Sequence, residues 1–276
     1  MTSEQDGLHA VVLRLVPKAE AAIPAGLGHR VHAAFLQMIE QVDTALAEEL
    51  HASGRRQRPF TVSPLIGAQR EKGDHLHLSP ERRCSLRFTM LTPGIYRRLT
   101  EHLLRPQRLP SLRLGEAELL IAEMIGTPGS SPWSGYTTWE KLREEASDAP
   151  VIVLEFASPT AFRRGDLDLP LPLPELVFGS YLAKWQSFSP ISLDPALFER
   201  EFLSRHVGIK EHRIRTLPFN DGRITIPGCV GKCTFFIKGK LEEGIIRQLH
   251  SLADFAFYAG TGRKTTHGMG MTRRIG

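Results

Sequence analysis

The chain has few cysteines and no long apolar run, and both shortages narrow the class of protein. Its cysteines, Cys84, Cys229 and Cys233, are sparse and odd in number, which is typical of reduced thiols in a cytoplasm. The spacing of Cys229 and Cys233 suits zinc poorly, and the usual second pair of ligands is missing. The sequence has no run of about 18 consecutive apolar residues, which is the minimum for a membrane span. Its first residues lack the pattern of a secretory signal. We therefore expect a cytoplasmic protein without metal or cofactor.

The charge is moderately basic and carried mainly by arginine. Lys and Arg number 35 against 30 Asp and Glu, which gives a net charge of +5. The planar fork of arginine binds phosphate and stacks on bases, so clustered arginines favour a polyanionic partner. Ordinary solvated faces explain the same charge equally well. The clusters are Arg55 and Arg56 with Arg58, Arg82 and Arg83, Arg97 and Arg98, Arg163 and Arg164, and Arg273 and Arg274.

The apolar pattern of the first half predicts the order β-α-β-β-α-β. A strand is expected over Leu8–Val16, and apolar residues at helical spacing predict one helix over 29–51. Strands follow in "PFTVSPLIG" and "RRCSLRFTML". Thr92 and Pro93 are typical of a helix start, and "LRLGEAELLIAEMI" predicts the last strand.

The second half repeats this order after the Gly-, Ser- and Pro-rich segment "GTPGSSPWSG". We therefore predict an α+β fold of tandem ferredoxin-like (βαββαβ) domains, over residues 1–126 and 127–276. At 276 residues and 41% apolar composition, the chain is long enough for two cores.

The C-terminal stretch "FYAGTGRKTTHGMGMTRRIG" first indicates a nucleotide site, but neither nucleotide motif fits. The order of glycine, lysine and threonine is wrong for a phosphate loop, and too few residues follow for the required helix. The stretch is predicted as a loop between the last helix and the last strand. It either cradles a phosphodiester through backbone N–H groups, Arg263 and Lys264, or forms a tight turn needed only for folding.

This loop, together with two further segments, resembles the CRISPR Cas-six endoribonucleases of the repeat-associated RNA-processing superfamily. The segments are "FASPTAFRRGDLDLPLPLPELVFGSYLAKWQSFSP" and "HAAFLQMIEQVDTALAEELHASGRRQRPFTVSPL". The resemblance implies metal-independent cleavage of CRISPR repeat RNA, in which a 2′-hydroxyl attacks the adjacent phosphorus. The products would be a 2′,3′-cyclic phosphate and a 5′-hydroxyl.

The resemblance also implies a catalytic histidine near the first helix. His51 is preferred, because a helix C-terminus favours a cation and arginines follow it. His32 is the second candidate, and we expect it to be structural or to face the RNA if His51 acts. Nineteen residues separate the two, roughly 28 Å along an unbroken helix, so they share a site only if that helix breaks. No tyrosine precedes Tyr96, so the second proton carrier is unassigned.

The expected partner is CRISPR repeat RNA, with no membrane involved. A non-catalytic RNA-binding subunit of a CRISPR effector complex is the alternative function, and a homodimer is equally compatible with the sequence. The residues expected to contact RNA are Arg55, Arg56, Arg58, Arg163, Arg164, Arg263, Lys264, His267, Gly260, Gly262, Gly268 and Gly270.

Overall fold

The computed structural model describes residues 7–52, 57–70, 74–104, 110–199, 201–239 and 241–276. Contacts group the chain into two units. Unit 1 comprises Met1–Tyr136, Asn220–Thr225 and Thr266–Gly268, and unit 2 comprises Thr137–Phe219, Ile226–Thr265 and Met269–Gly276. The division at residues 126 and 127 stays a prediction.

Unit 1 is built on one antiparallel sheet with the order β3-β6-β1-β8-β7. Its first four strands have the neighbours of a ferredoxin-like sheet, and β7 extends the edge beside β8. A small sheet with the order β2-β5-β4 is separate, and β9 pairs with β1. The elements are β1 (Leu8–Pro17), β2 (Ala21–Pro24), α1 (Gly28–Glu40), α2 (Thr44–His51), β3 (Phe60–Val62), β4 (Gln69–Arg70), β5 (His75–Leu78), β6 (Cys84–Met90), α3 (Pro93–Leu103), β7 (Ser111–Leu114), β8 (Ala117–Ile125) and β9 (Gly135–Thr137).

The core of unit 1 follows from two periodicities. Alternate residues of β1, among them Val11 and Leu13, are fully buried in one cluster. On α1, Val31 and Phe35 are buried four residues apart on the face that meets this cluster. His29 and His32 of the same helix are only half-buried and do not belong to this cluster.

The predicted single helix over 29–51 is wrong, because the helix is interrupted between α1 and α2. Asp43 leaves helical geometry, and its carboxylate accepts a hydrogen bond from the N–H of Leu46 at 3.0 Å, which starts α2. The same carboxylate accepts from Arg98 Nε at 2.8 Å. Apolar spacing continues across the break, so the pattern does not reveal it.

Unit 2 repeats the topology with the sheet order β13-β14-β10-β15. The predicted tandem ferredoxin-like fold is therefore confirmed. The elements are α4 (Trp139–Glu144), β10 (Val151–Thr160), β11 (Phe162–Arg164), β12 (Leu167–Leu169), α5 (Pro174–Phe188), a 3-10 helix (Pro195–Phe198), α6 (Phe202–His206), β13 (Val207–Asn220), β14 (Thr225–Ile237), α7 (Glu243–Ala259), a 3-10 turn (Thr265–His267) and β15 (Thr272–Arg274).

Aromatic side chains join helix α5 of unit 2 to the sheet and to helix α7. Phe178 of α5 meets Phe235 of β14 edge to face, with ring centroids 5.5 Å apart. Trp185 of α5 meets Phe255 of α7 in the same way at 5.4 Å. None of the helices within the described ranges is both long and apolar enough to cross a membrane.

The break between the helices generates a stability prediction. Asp43→Ala removes the acceptor that starts α2 and should lower the melting temperature, measured by circular dichroism. Asp43→Asn is the matched control, because its side-chain oxygen can still cap the helix while the negative charge is lost. The proposed role of the cap would be contradicted if both variants lost the same stability.

The effect of Asp43→Ala should also depend on pH. The Leu46 N–H, and then Arg98, lower the pKa of Asp43 below its usual 3.8. A carboxyl group with a lowered pKa stabilises the fold above its unfolded value, and this contribution is lost as the pH falls through the folded pKa. The difference between wild type and Asp43→Ala should therefore narrow below pH 3.8.

Candidate active site

His32, a half-buried residue of α1, has an imidazole with a backbone hydrogen-bond partner far away in the sequence. Its Nδ1 lies 3.0 Å from the carbonyl oxygen of Thr266. A carbonyl only accepts, so Nδ1 must carry the proton of this hydrogen bond. In the neutral ring, Nε2 then has an unprotonated lone pair and is a base. The backbone therefore sets both the orientation and the tautomer of His32.

Two aromatic rings hold the imidazole of His32 in place. The ring of His267 is nearly parallel to it, with centroids 4.6 Å apart and planes 14° apart. Phe60 of β3 contacts it with centroids 5.6 Å apart. His267 is itself fixed, because its Nδ1 lies 3.0 Å from the hydroxyl of Thr266. His32 is half-buried as a result.

The surroundings of His32 favour its neutral form. Burial is the main cause that lowers its pKa below the usual 6.5, and the hydrogen bond to Thr266 opposes this shift. Charge interactions with His29, Arg58 and His51 lower the pKa further. His51, which lies in α2 beyond the break, is thus one of the groups that act on His32 electrostatically.

Two arginines of unit 1 are oriented beside these histidines. Arg58 Nη1 donates to the carbonyl of Leu50, near the end of α2, at 2.6 Å. Arg223 Nη2 donates to Nε2 of His29 at 3.0 Å. Arg223 stands in a turn that Asp221 fixes by accepting two backbone N–H bonds at 3.0 Å each. The charge of Arg58 thus acts on His32, and the charge of Arg223 lies beside His29, an arrangement that suits an anionic substrate.

The residues that the structure describes offer no candidate group of metal ligands. Among them, no three His, Cys, Asp or Glu side chains are grouped to hold a metal ion. The three cysteines are buried and form no disulfide. Burial raises the pKa of Cys229 to about 11, which keeps that thiol protonated at neutral pH.

The glycine-rich loop of unit 2 is tightly packed backbone. At Gly262, φ is +74°, and an added Cβ would lie 2.3 Å from the carbonyl oxygen of Ala161. At Gly270, φ is +72°, and a Cβ would lie 2.1 Å from the carbonyl oxygen of Thr261. No residue with a side chain fits either contact without displacing backbone. The loop therefore forms the tight turn that was one of the two alternatives from the sequence. This does not exclude a contact with a phosphodiester.

The remaining loop residues expected to bind RNA are also engaged within the fold. Arg263 donates its backbone N–H to the Ala161 carbonyl at 2.9 Å, and its guanidinium pairs with Asp168. Its side chain is 23% exposed, so the pairing leaves only part of it accessible. Asp168 lies 95 residues earlier in the chain, so no local pattern indicates this pairing. Lys264 is half-buried with a φ of +51°.

Comparisons with known proteins decide the family. A model described as CRISPR-associated endoribonuclease Cas6 matches residues 154–272, and a model of the CRISPR Cas6 N-terminal domain matches residues 8–144. The chain belongs to the Cas6 family. The resemblance expected from the sequence is therefore confirmed.

Curated Cas6 relatives match part of the chain. A CRISPR-associated endoribonuclease Cas6 of Mycobacterium tuberculosis is 31% identical over 121 residues, which are 44% of this chain and 37% of the relative. One of Streptococcus thermophilus is 31% identical over 117 residues, 42% of this chain and 46% of the relative. The matched segment thus spans less than half the length of either relative.

Solved Cas6 structures match almost the whole chain. A product complex of a Thermus thermophilus Cas6 is 29% identical, covers 98% of this chain and 100% of its own, and has a TM-score of 0.81. A Cas6 substrate mimic complex is 27% identical, covers 98% and 99%, and has a TM-score of 0.73.

The structure gathers only some of the residues that the Cas6 resemblance singled out. His267 stacks on His32, and Arg58 and His51 act on its charge. Gly260 has a φ of +63° in the packed loop, while Gly268 has a φ of +103° and lies against the backbone of Pro64. Sequence reasoning missed the contributions of three residues to this site: Phe60, Arg223 and the carbonyl of Thr266.

The other predicted RNA contacts lie elsewhere. Arg163 and Arg164 are exposed on β11 in unit 2. Arg163 lies 3.6 Å from both Asp166 and Asp168, so part of its charge is already paired. Arg55 and Arg56 lie outside the described residues. Their roles in RNA binding stay predictions.

The packing of the loop predicts how it responds to mutation. Gly270→Ala should lower the melting temperature and the free energy of unfolding in urea, because its Cβ cannot avoid the Thr261 carbonyl. Gly179→Ala, in the middle of α5, is the control, since a Cβ there meets nothing within 4 Å. It should be neutral or stabilising by about 0.5–1 kcal/mol. A Gly270→Ala variant as stable as wild type would refute the close approach.

Proposed function

We propose that this Cas6-family chain is an endoribonuclease that cuts CRISPR repeat RNA. The observation that carries the proposal is the half-buried His32, whose Nδ1–H is held by the Thr266 carbonyl so that Nε2 is available as a base. The similarity to solved Cas6 complexes with product and with a substrate mimic supports RNA as the substrate. The cluster of cations around His32 supports the same class of ligand.

The proposed reaction needs no group beyond the RNA and this chain's side chains. Nε2 of His32 takes the proton of a ribose 2′-hydroxyl, and the 2′-oxygen attacks the adjacent phosphorus. The bond between phosphorus and the 5′-oxygen breaks, and that oxygen receives a proton from a second group. The fragments then end in a 2′,3′-cyclic phosphate and a 5′-hydroxyl.

We assign the second proton transfer to His51. Its side chain is exposed at the end of α2, and its charge acts on that of His32. His267 is the poorer choice for the acid, because its ring stacks on His32 and its Nδ1 lies against the Thr266 hydroxyl. The sequence favoured His51 over His32 as the main catalytic residue. The geometry supports a division of labour between them.

Arg58 and Arg223 are suited to stabilise the charge of the phosphorane. One guanidinium N–H of Arg58 is tied to Leu50, and one of Arg223 is tied to His29. Each guanidinium has further N–H donors, and its orientation is already set before an RNA phosphate binds.

Substitution of the histidines tests these roles. His32→Ala should slow cleavage under single-turnover conditions by about 10²–10⁴-fold, the usual contribution of a positioned general base. His51→Ala should slow it in the same range, and affinity for repeat RNA should stay within about threefold in both variants. His212→Ala, which changes an exposed histidine on β13, is the control and should cleave normally.

The pH dependence of the same reaction gives a second readout. Because the pKa of His32 lies below 6.5, Nε2 stays unprotonated as the pH falls through that value. In the profile of cleavage rate against pH at subsaturating enzyme, the fall of the rate on the acidic side should therefore lie below pH 6.5. This fall should disappear in His32→Ala. If His32→Ala bound and cut like wild type, the assignment of the base would be wrong. If wild type bound repeat RNA without cutting it, the chain would be an RNA-binding subunit.

The attacking group is tested on the RNA itself. A repeat RNA with a single 2′-deoxy nucleotide at the cut site should bind normally and remain uncut. Cleavage of the unmodified RNA should continue in EDTA, because imidazoles carry both proton transfers. The 5′ fragment should resist a phosphatase that removes only terminal phosphomonoesters. Cleavage of the deoxy RNA would exclude attack by the 2′-hydroxyl.

A further inference from the structure

A buried lysine on α5 has its amino group within the glycine-rich loop of unit 2. Lys184 is 5% exposed. Its Nζ donates to the carbonyl of Ala259, the last residue of α7, and to the hydroxyl of Thr265 at 3.0 Å. The lysine therefore ties both ends of the segment 259–265 to one helix.

Both acceptors are uncharged, so burial of the Lys184 ammonium group is energetically unfavourable. Burial lowers its pKa from 10.5 to about 7. A methionine would fill a similar volume without this cost. What the lysine adds is two directed hydrogen bonds from one atom.

Thr265 is the first residue of the 3-10 turn Thr265–His267. The carbonyl of the second residue, Thr266, accepts the Nδ1–H of His32, and the ring of the third, His267, stacks on His32. A 3-10 turn is a short, tightly wound piece of backbone. A shift at its first residue therefore changes the direction of the carbonyl that follows.

We propose that Lys184 is a positioning residue for catalysis, which acts on His32 through the turn Thr265–His267. The lysine holds Thr265, the turn aims the Thr266 carbonyl, and the carbonyl keeps His32 in the tautomer with an unprotonated Nε2. This role rests on the proposed function of His32 as general base. Lys184 itself touches neither His32 nor any reacting atom in this scheme.

Neighbouring residues of α5 provide a matched comparison. The hydroxyl of Tyr181 lies 2.6 Å from that of Thr261, and the hydroxyl of Ser180 accepts from the N–H of Gly262 at 3.3 Å. These contacts hold the start of the loop, several residues before the turn. Tyr181→Phe thus removes a buried hydrogen bond to the same loop and leaves the bond to Thr265 intact.

The first test compares Lys184→Met with Tyr181→Phe. Lys184→Met should lower the single-turnover cleavage rate at saturating enzyme by up to about 100-fold, as expected when a catalytic group is misplaced. Its affinity for repeat RNA should stay within about threefold of wild type. Tyr181→Phe should cleave at nearly the wild-type rate. Equal rates for the two variants, or a loss of affinity alone in Lys184→Met, would overturn the proposal.

The second test follows His32 without using activity. In ¹⁵N NMR spectra of the free protein, His32, assigned by the loss of its signals in His32→Gln, should show the Nδ1–H tautomer in wild type and Tyr181→Phe. In Lys184→Met its nitrogen shifts should move towards a mixture of tautomers. Unchanged shifts in Lys184→Met would refute the positioning role, even if wild type proved to have no nuclease activity.

A substitution at the acceptor, Thr265, tests the proposal if Lys184→Met does not fold. Thr265→Val removes the acceptor hydroxyl at nearly constant volume and leaves the lysine bonded to Ala259. It should reproduce the slower cleavage and the altered His32 spectrum. A folded Thr265→Val variant that matched wild type in both measurements would refute the proposal.

Discussion

The hydrogen bond from His32 to the carbonyl of Thr266 is the interaction on which the candidate site depends. It joins residues that are 234 positions apart, and it selects which imidazole nitrogen carries the proton. An imidazole that rotated freely would divide its population between tautomers and orientations, and only part of it would present a base. A backbone acceptor removes that choice because it cannot donate.

That hydrogen bond requires a particular conformation of the backbone around Thr266. The loop must turn back sharply enough to present a carbonyl, and it does so through contacts too close for a side chain at Gly262 and Gly270. The charged residues of the loop also serve the fold, since Arg263 is paired with Asp168. The close packing of its backbone therefore defines the loop more than its charge does. Any contact with RNA depends on that backbone conformation.

The other side of the site depends on the break between α1 and α2. A continuous helix would carry His51 far from His32, roughly 28 Å away. Asp43 interrupts the helix because its carboxylate bonds the N–H of Leu46 and pairs with Arg98, which lies 55 residues further along the chain. One side chain therefore allows two histidines of a single apolar pattern to act on each other's charge.

The sequence by itself determined the two ferredoxin-like units, because the spacing of apolar residues in β1, α1, α5 and α7 reports which side of each element is buried. It also predicted the kind of chemistry, through the histidines and arginines and through the resemblance to Cas6 proteins. Only the tertiary structure decided which histidine is held in one tautomer. The long-range contacts of the candidate site, between His32 and Thr266 and between Arg223 and His29, join residues more than 190 positions apart. Local periodicity carries no information about such pairs, since each side chain is compatible with its own element whether or not its partner is there.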